Sequence, residues 1–282
     1  MIKVEELPNV NTNFSAETNI NFPFLSDWET LLRNMPKIKL NQLQDYSLMR
    51  RFDTKYLVPE NELLNIIHSI SSSYSVLEVN NIRLNQYLTT YYDSSDFLFY
   101  RQHHNGTRNR CKVRTRTYLS SDKTFLEIKR KGLNNQSLKE RIAIKVPGLI
   151  NSPSVDQFID QYCPIPEELL EEKLKNNFMR FTLVNRSCIE RVTIDLGLTF
   201  INEYEKVVLP GVAVVEIKQE EIHTKTALVK ALHETHHNPQ GFSKYCIGIS
   251  LLEKQVKHNR FKKNLLQLGK LVSEGNYYYG IA

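Results

Sequence analysis

The segment from Arg101 to Lys145 carries thirteen cations against only Asp122, Glu127 and Glu140, a net charge of +10 in a chain whose total is +6. Many of these cations recur at every second residue. Lys112, Arg114 and Arg116 form one row, Lys129 and Lys131 a second, and Lys139, Arg141 and Lys145 a third. On a β-strand a period of two puts side chains on one face. Three neighbouring strands of this kind present their cations to a common space. Like charges so placed repel one another unless an anion neutralises them. The space therefore reads as a site for a highly charged anion, best satisfied by a chain of phosphates.

Further residues outside the segment fit the same chemistry. Arg51, Asp53 and Lys55 alternate on one strand face, and Arg186 and Arg191 fall in later strands. Glu216 and Lys218 alternate in Val-Val-Glu-Ile-Lys, and Ser243-Lys244-Tyr245 follows Gly241. Arginine suits bidentate contact with phosphate oxygens and lysine supplies a point charge. Glu216 is the acid that strand phase sets most clearly among the cations. A carboxylate in a phosphate site commonly holds a divalent metal that also binds the phosphates.

The elements that would position these residues can be traced along the chain. Residues 1–40 are polar and Asn-rich, with a short helix opening near Ser26-Asp27-Trp28-Glu29, and are expected to form an arm packed on the main domain of residues 41–282. Arg50 to Val58 alternates as a strand. Pro59 then opens a helix to Ile70, with Leu63, Ile66, Ile67 and Ile70 on its apolar side. Strands follow at Arg83–Tyr92, Cys111–Leu119, Thr124–Lys131 and Leu138–Val146. Asn105-Gly106 is a hairpin signal, and His103 and His104 before it could reach phosphate, the simpler reading being exposed loop residues. Pro164–Asn177 reads as a helical insert, with Lys173 and Lys175 late in it. Arg180–Glu190 and Arg191–Leu196 read as two strands or one bent strand, and Val212–Lys218 as a further strand. Helices at Thr224–His237 and at about Leu251–Leu271 complete an α+β order without internal repeats. In the strands, Val113, Leu126, Ile128, Ile142 and Ile144 alternate with charged neighbours. That pattern fits an open sheet with solvated charges or a closed barrel with charges inward and helices outside.

Composition narrows the function classes. No apolar run is long enough to cross a bilayer as a helix, and Met1–Val10 lacks an apolar signal core, so a cytoplasmic location is expected. Cys111, Cys163, Cys188 and Cys246 lie far apart and read as reduced structural thiols. No phosphate-binding loop of the P-loop type is present. His233-Glu234-Thr235-His236-His237 fits the HExxH zinc-protease pattern, but Asn238-Pro239 ends its helix at once and the pattern leaves the cation rows unexplained. A basic sheet bearing Tyr87, Tyr91, Tyr92, Tyr100 and Tyr118 could stack nucleic-acid bases; the simpler reading puts those rings in strand cores.

Ser47-Leu-Met-Arg50-Arg51-Phe-Asp53-Thr-Lys55-Tyr56, Lys112-Val-Arg114-Thr-Arg116, Leu126-Glu127-Ile-Lys129, Lys139-Glu140-Arg141, Val215-Glu216-Ile-Lys218 and Phe242-Ser243-Lys244-Tyr245 occur in the order seen in VTC domains. As an ordered set spanning about Leu40 to Leu252, this resembles the polyphosphate polymerase domains of the vacuolar transporter chaperone complex and their bacterial relatives, within the triphosphate tunnel superfamily. The resemblance implies an antiparallel β-barrel around a basic tunnel, decorated by helices. It implies transfer of the ATP γ-phosphate onto inorganic polyphosphate, with Mn²⁺ or Mg²⁺. Lys55, Lys112, Arg114, Arg116, Lys129, Lys139, Arg141, Arg186, Arg191, Lys218 and Lys244 would then bind phosphate. Lys244, Arg114 and Arg116 would stand closest to the chemistry, and Glu216 would be the metal ligand. Hydrolytic members of the superfamily carry an ExExK row on the first strand. Here it reads Arg51-Phe-Asp53-Thr-Lys55, with one acid, which favours the polymerase branch. A silent polyphosphate-binding subunit and a triphosphate hydrolase remain the alternatives, and any work at a membrane would need a partner protein as anchor.

Overall fold

The computed structural model describes residues 5–6, 24–43, 52–132, 137–145, 152–221 and 225–274. Ser47–Arg51 and the C-terminal tyrosines lie outside them. Strands β1 (Glu5–Glu6), β2 (Lys37–Lys39), β3 (Phe52–Pro59), β4 (Tyr74–Glu78), β5 (Asn85–Asp93), β6 (Arg110–Tyr118), β7 (Lys123–Lys131) and β8 (Ser137–Ile144) are followed by β9 (Glu171–Asn185), β10 (Glu190–Ile201), β11 (Glu205–Leu209) and β12 (Val212–Gln219). Helices are α1 (Leu25–Asn34), α2 (Glu60–Ile70), α3 (Leu98–His104), α4 (Pro153–Tyr162), α5 (Ala227–Glu234), α6 (Lys244–Leu252) and α7 (Lys262–Glu274). The order is that of an α+β protein.

One strand path runs β8-β7-β6-β5-β9-β10-β12-β3, antiparallel at every step, with β11 and β1 extending β10. The sheet curls, so Lys55 on β3 and Lys129 on β7 line one cavity. Among the described residues β3 and β8 share no backbone pairing, so the barrel stays open along that seam.

Apolar side chains explain the curl. The outer face of β3, β9, β10 and β12 buries Tyr56, Phe181, Leu183, Ile194 and Val215 against α1, α2 and α5. The outer face of β6 and β7 buries Val113, Leu126 and Ile128 against α4. On the concave side, Leu174, Leu198, Phe200, Val212 and Val214 form an apolar floor beneath α6. At about 25 cal/mol per Å² of apolar area removed from water, these three layers provide the main driving force for folding.

Several expectations change. Pro164–Asn177 is no helix: after a turn at Glu167–Leu169 the chain enters the long strand β9, paired with β5 on one side and β10 on the other. Two ladders of backbone hydrogen bonds outweigh the helical preference of its Glu and Lys residues. Asn105-Gly106 ends α3 instead of turning a hairpin. Gly106 is left-handed (φ 72°), its N–H donates to the His103 carbonyl at 3.2 Å, and Thr107 N–H donates to Gln102 at 2.9 Å. The C-terminal helix is two helices, α6 and α7, and α6 starts already at Lys244. Ser26 lies inside α1, with Phe24 at its cap position.

The described part of the N-terminal region is anchored by specific contacts. Trp28 is buried and its Nε1 donates to Glu60 Oε1 at 2.9 Å. Arg83 donates to carbonyls at the C-terminal end of α1, Arg33 at 2.9 Å and Met35 at 3.1 Å among them.

Candidate functional site: a cation-lined cavity

Strand register assembles the site. Directly paired residues share a face. Arg114 opposes Tyr91, Glu127 opposes both Arg114 and Arg141, and Lys129 opposes both Lys112 and Lys139. Across the bore, Glu216 opposes Lys55 and Thr193, and Lys218 opposes Asp53 and Arg191. All these residues lie on the concave face. One cavity of about 700 Å³ includes Lys55, Lys112, Lys129, Glu216 and Ser243 in its lining.

Two buried carboxylates organise the cations. Glu127 takes Arg114 Nε at 2.7 Å on one oxygen and Lys139 Nζ at 2.6 Å on the other. Burial works against its ionisation, yet Arg114, Arg116 and Lys139 outweigh burial and hold its pKa well below the usual range. Asp195 takes Arg180 Nη2 at 2.7 Å, and Lys244 Nζ on the same oxygen. It too is held well below the carboxylate range, because Arg180 and Lys244 overcome its desolvation. Arg116 lies with its guanidinium 5.6 Å from the Tyr87 ring centroid, and Nε donates to Thr89 Oγ1 at 3.2 Å. Lys244 lies 4.7 Å from the Phe178 ring centroid.

Helix α6 completes the bore. Ser243 is its N-cap, accepting from Cys246 N–H at 3.3 Å. Lys112 Nζ donates to Ser243 Oγ at 2.8 Å, and Lys55 Nζ to the Phe242 carbonyl at 2.9 Å. These contacts set the positive end of the α6 dipole among the cations. Tyr245 donates to Asp93, whose other contacts include Phe99 N–H at 2.8 Å and Tyr100 N–H at 2.9 Å at the start of α3. Lys244 is thus held by a rigid element.

Glu216 sits between Lys218 at 2.6 Å and Lys55 at 3.7 Å. Burial opposes its charge, but Lys55 and Lys218 prevail and hold it ionised. Glu216 and Asp53 both line the cavity and supply hard oxygen donors. Among the described residues no group of three or more His, Cys, Asp or Glu is gathered as a metal cage. This donor set fits an Mg²⁺ or Mn²⁺ ion that draws its remaining ligands from phosphate and water.

The other expected residues sort clearly. Arg191 is half-buried on the concave face opposite Lys218. Arg141 is on that face at the open edge, 4.9 Å from the Phe125 ring centroid and exposed. Arg186 is not in the bore: it follows the end of β9, donates to the Ser72 carbonyl at 3.0 Å and borders a separate cleft beside α1 and α2. Arg180, Asp195 and the pairing role of Glu127 were missed. Both lie in expected strands, Asp195 in Arg191–Leu196 and Arg180 at the head of Arg180–Glu190, but neither belongs to a row of alternating cations that marks a shared face. His103 and His104 are not loop residues either. His104 is buried in α3, bonded to Asn259 Oδ1 at 2.6 Å, and His103 borders the cavity. The HExxH residues do not assemble: α5 ends at Glu234, His236 is left-handed, and His237 Nε2 lies 3.1 Å from Glu62.

A search of curated proteins gives no match. Among solved structures, a candidate adenylate cyclase from Bacillus halodurans is similar at 12% identity and a TM-score of 0.47, covering 73% of this chain and 98% of its own. A candidate adenylate cyclase from Vibrio parahaemolyticus aligns at 14% identity and a TM-score of 0.43, covering 72% of this chain and 99% of its own. A candidate adenylyl cyclase from Hippeastrum, described as having a dominant triphosphatase activity, aligns at 12% identity and a TM-score of 0.44, covering 71% and 94%. The sequence model of the VTC domain matches residues 50–253, most of the chain, and the protein therefore belongs to the VTC domain family.

Proposed function

We propose that this protein is a polyphosphate polymerase, moving the γ-phosphate of ATP onto the end of an inorganic polyphosphate chain lying in the basic bore. The observation that carries this reading is the convergence of Arg114, Arg116, Lys129, Arg180, Lys218 and Lys244 from separate elements onto one concave face. Phosphoryl transfer asks a protein for positioning and charge stabilisation more than for covalent chemistry. Arg114 and Arg116 would hold phosphate oxygens bidentately, and Lys112, Lys129 and Lys139 would neutralise the next phosphates along the same wall. Lys244, fixed at the start of α6, would face the reacting phosphate. No protein nucleophile is required, because the terminal phosphate of the chain is itself the attacking group.

Glu216, with Asp53 near it, would hold the Mg²⁺ or Mn²⁺ ion. That ion, when bound, neutralises charge on the transferring group. ATP and polyphosphate are the expected small-molecule partners. Among the described residues no helix is long and apolar enough to cross a membrane.

The test is incubation of the purified protein with ATP and Mn²⁺, followed by separation of long polyphosphate on a gel. Polymer from the wild type, and none from Glu216→Ala or Lys244→Ala, supports the reading. ADP and free phosphate without polymer would replace it with triphosphate hydrolysis. Salt-sensitive binding of added polyphosphate without turnover would make the chain a binding subunit.

A further inference from the structure

The cations of the bore are not left to repel one another. Glu127 clamps Arg114 and Lys139, and Asp195 clamps Arg180 and Lys244. Both carboxylates are nearly inaccessible, with side chains 1% and 3% exposed. The two clamps arise from different strands, β7 and β10, yet share one design: one acid between an arginine and a lysine, all on the concave face. Neither acid is placed to bind a polyanion; Glu127 lies on the opposite wall from Glu216, and Asp195 is two residues along β10 from Thr193, the residue that opposes Glu216.

We infer that Glu127 and Asp195 are positioning residues that act as internal counter-ions: they fix the geometry of the phosphate-binding cations and weaken the hold of the bore on the chain, so that the polymer can advance after each transfer. The inference rests on the polyphosphate reading of the bore.

Each carboxylate acts on binding in two opposed ways. A carboxylate that pins a guanidinium and an ammonium removes their rotamer freedom before phosphate arrives, which favours binding. The same carboxylate cancels positive charge at hydrogen-bond range and repels incoming phosphate, which opposes binding. In a bore with this density of cations, the charge effect is the larger one. A chain gripped by every cation at full strength would bind tightly in the ground state and leave slowly, which limits turnover. The carboxylates lower ground-state affinity while leaving the cations aimed at the transferring group.

The two effects predict opposite signs for one measurement. Inorganic tripolyphosphate is titrated calorimetrically into the full chain and into Asp195→Asn and Glu127→Gln, which keep the shape and one accepting oxygen but lose the charge and the second acceptor. The expected result is binding about tenfold tighter in each variant, with the slope of log K against log salt steeper by about one. In multiple-turnover assays with ATP, KM and kcat both fall, and Asp195→Glu restores wild-type values in part. A structural acid behaves otherwise: its loss frees Arg180 or Arg114 and weakens binding. Unchanged or weaker tripolyphosphate binding in both variants overturns the inference, and so does loss of the fold in both. A wild-type chain that fails to bind tripolyphosphate removes the phosphate reading of the bore instead.

Discussion

At the scale of single residues, the bore is set up by charges kept partly out of water. Burial lowers Lys244 to about 8 despite the opposing effect of Asp195, and lowers Lys218 to about 8 despite Glu216. Lys112 and Lys139 are likewise brought to about 8 by burial, with only partial compensation from Cys246 and Glu127. An amine with a depressed pKa is charged below that value and neutral above it. Tripolyphosphate affinity is therefore expected to be full near pH 7 and to fall steeply between pH 7.5 and 9.5, by about tenfold or more per pH unit where several lysines deprotonate together. Calorimetry across that range checks it, and a flat profile would contradict the burial of these ammonium groups. Replacing Lys244 by Ala should lower turnover by about 100-fold or more with a smaller change in tripolyphosphate binding, measured as kcat against Kd. The residues that were legible in advance, Lys112, Arg114, Arg116 and Lys129, owe this to period two in uninterrupted strands. Arg186 shows where that logic stops. It shares parity with Arg180, but β9 ends at Asn185 and Arg186 leaves the face in the turn.

At the scale of elements, α6 and α1 hold the two sides of the sheet. Gly248 lets α6 lie directly on the floor: a Cβ there would stand 2.5 Å from Leu174 Cδ2 and 2.7 Å from Phe200 Cδ1. Gly248→Ala is expected to destabilise the fold by about 1–3 kcal/mol and to move Lys244 with its helix, reducing turnover. Denaturant melts and polymer assays on the same preparation test both effects. On the other side, Glu60 receives the Trp28 N–H, its Oε2 has no partner among the described residues, and burial raises its pKa from 4.5 to about 7. The folded state thus binds this proton more tightly than the unfolded state. Its contribution is fully present below pH 4.5 and is lost as pH rises through 7, amounting to about 3 kcal/mol. Glu60→Gln should raise stability at pH 7.5 by about 1–3 kcal/mol and flatten this part of the pH profile, as urea melts at pH 5 and 7.5 would show. Equal gains at both pH values would refute the assignment. The elements most visible in the sequence were those with a single clear period, such as β3 followed by α2. The start of β9 was hidden because its charged residues look helical until β5 and β10 pair with it.

At the scale of the whole molecule, positive charge is concentrated inside a curled sheet instead of spread over the surface. The Glu127 and Asp195 clamps offset only part of this charge, and a bound polyanion removes the repulsion that is left. Tripolyphosphate at about 100 times its Kd should stabilise the native state by about 2.7 kcal/mol, with the rise in Tm shrinking as salt increases. Differential scanning calorimetry measures this, and an anion of equal concentration but single charge, such as chloride, should produce far less.

The amino-acid sequence by itself determined which strands are amphipathic, that the cations share strand faces, and that Glu216 stands among them; Lys244, at the start of a helix, was placed there only by the family resemblance. It could do so because strand alternation is a local property. Only the tertiary structure decided that Arg180 enters the bore and Arg186 does not, that Glu127 and Asp195 neutralise chosen pairs of cations, and that α6 aims its positive end into the same space. Each of these depends on contacts between residues far apart in the chain, where register, curvature and burial select the partners, and no local pattern encodes those distances.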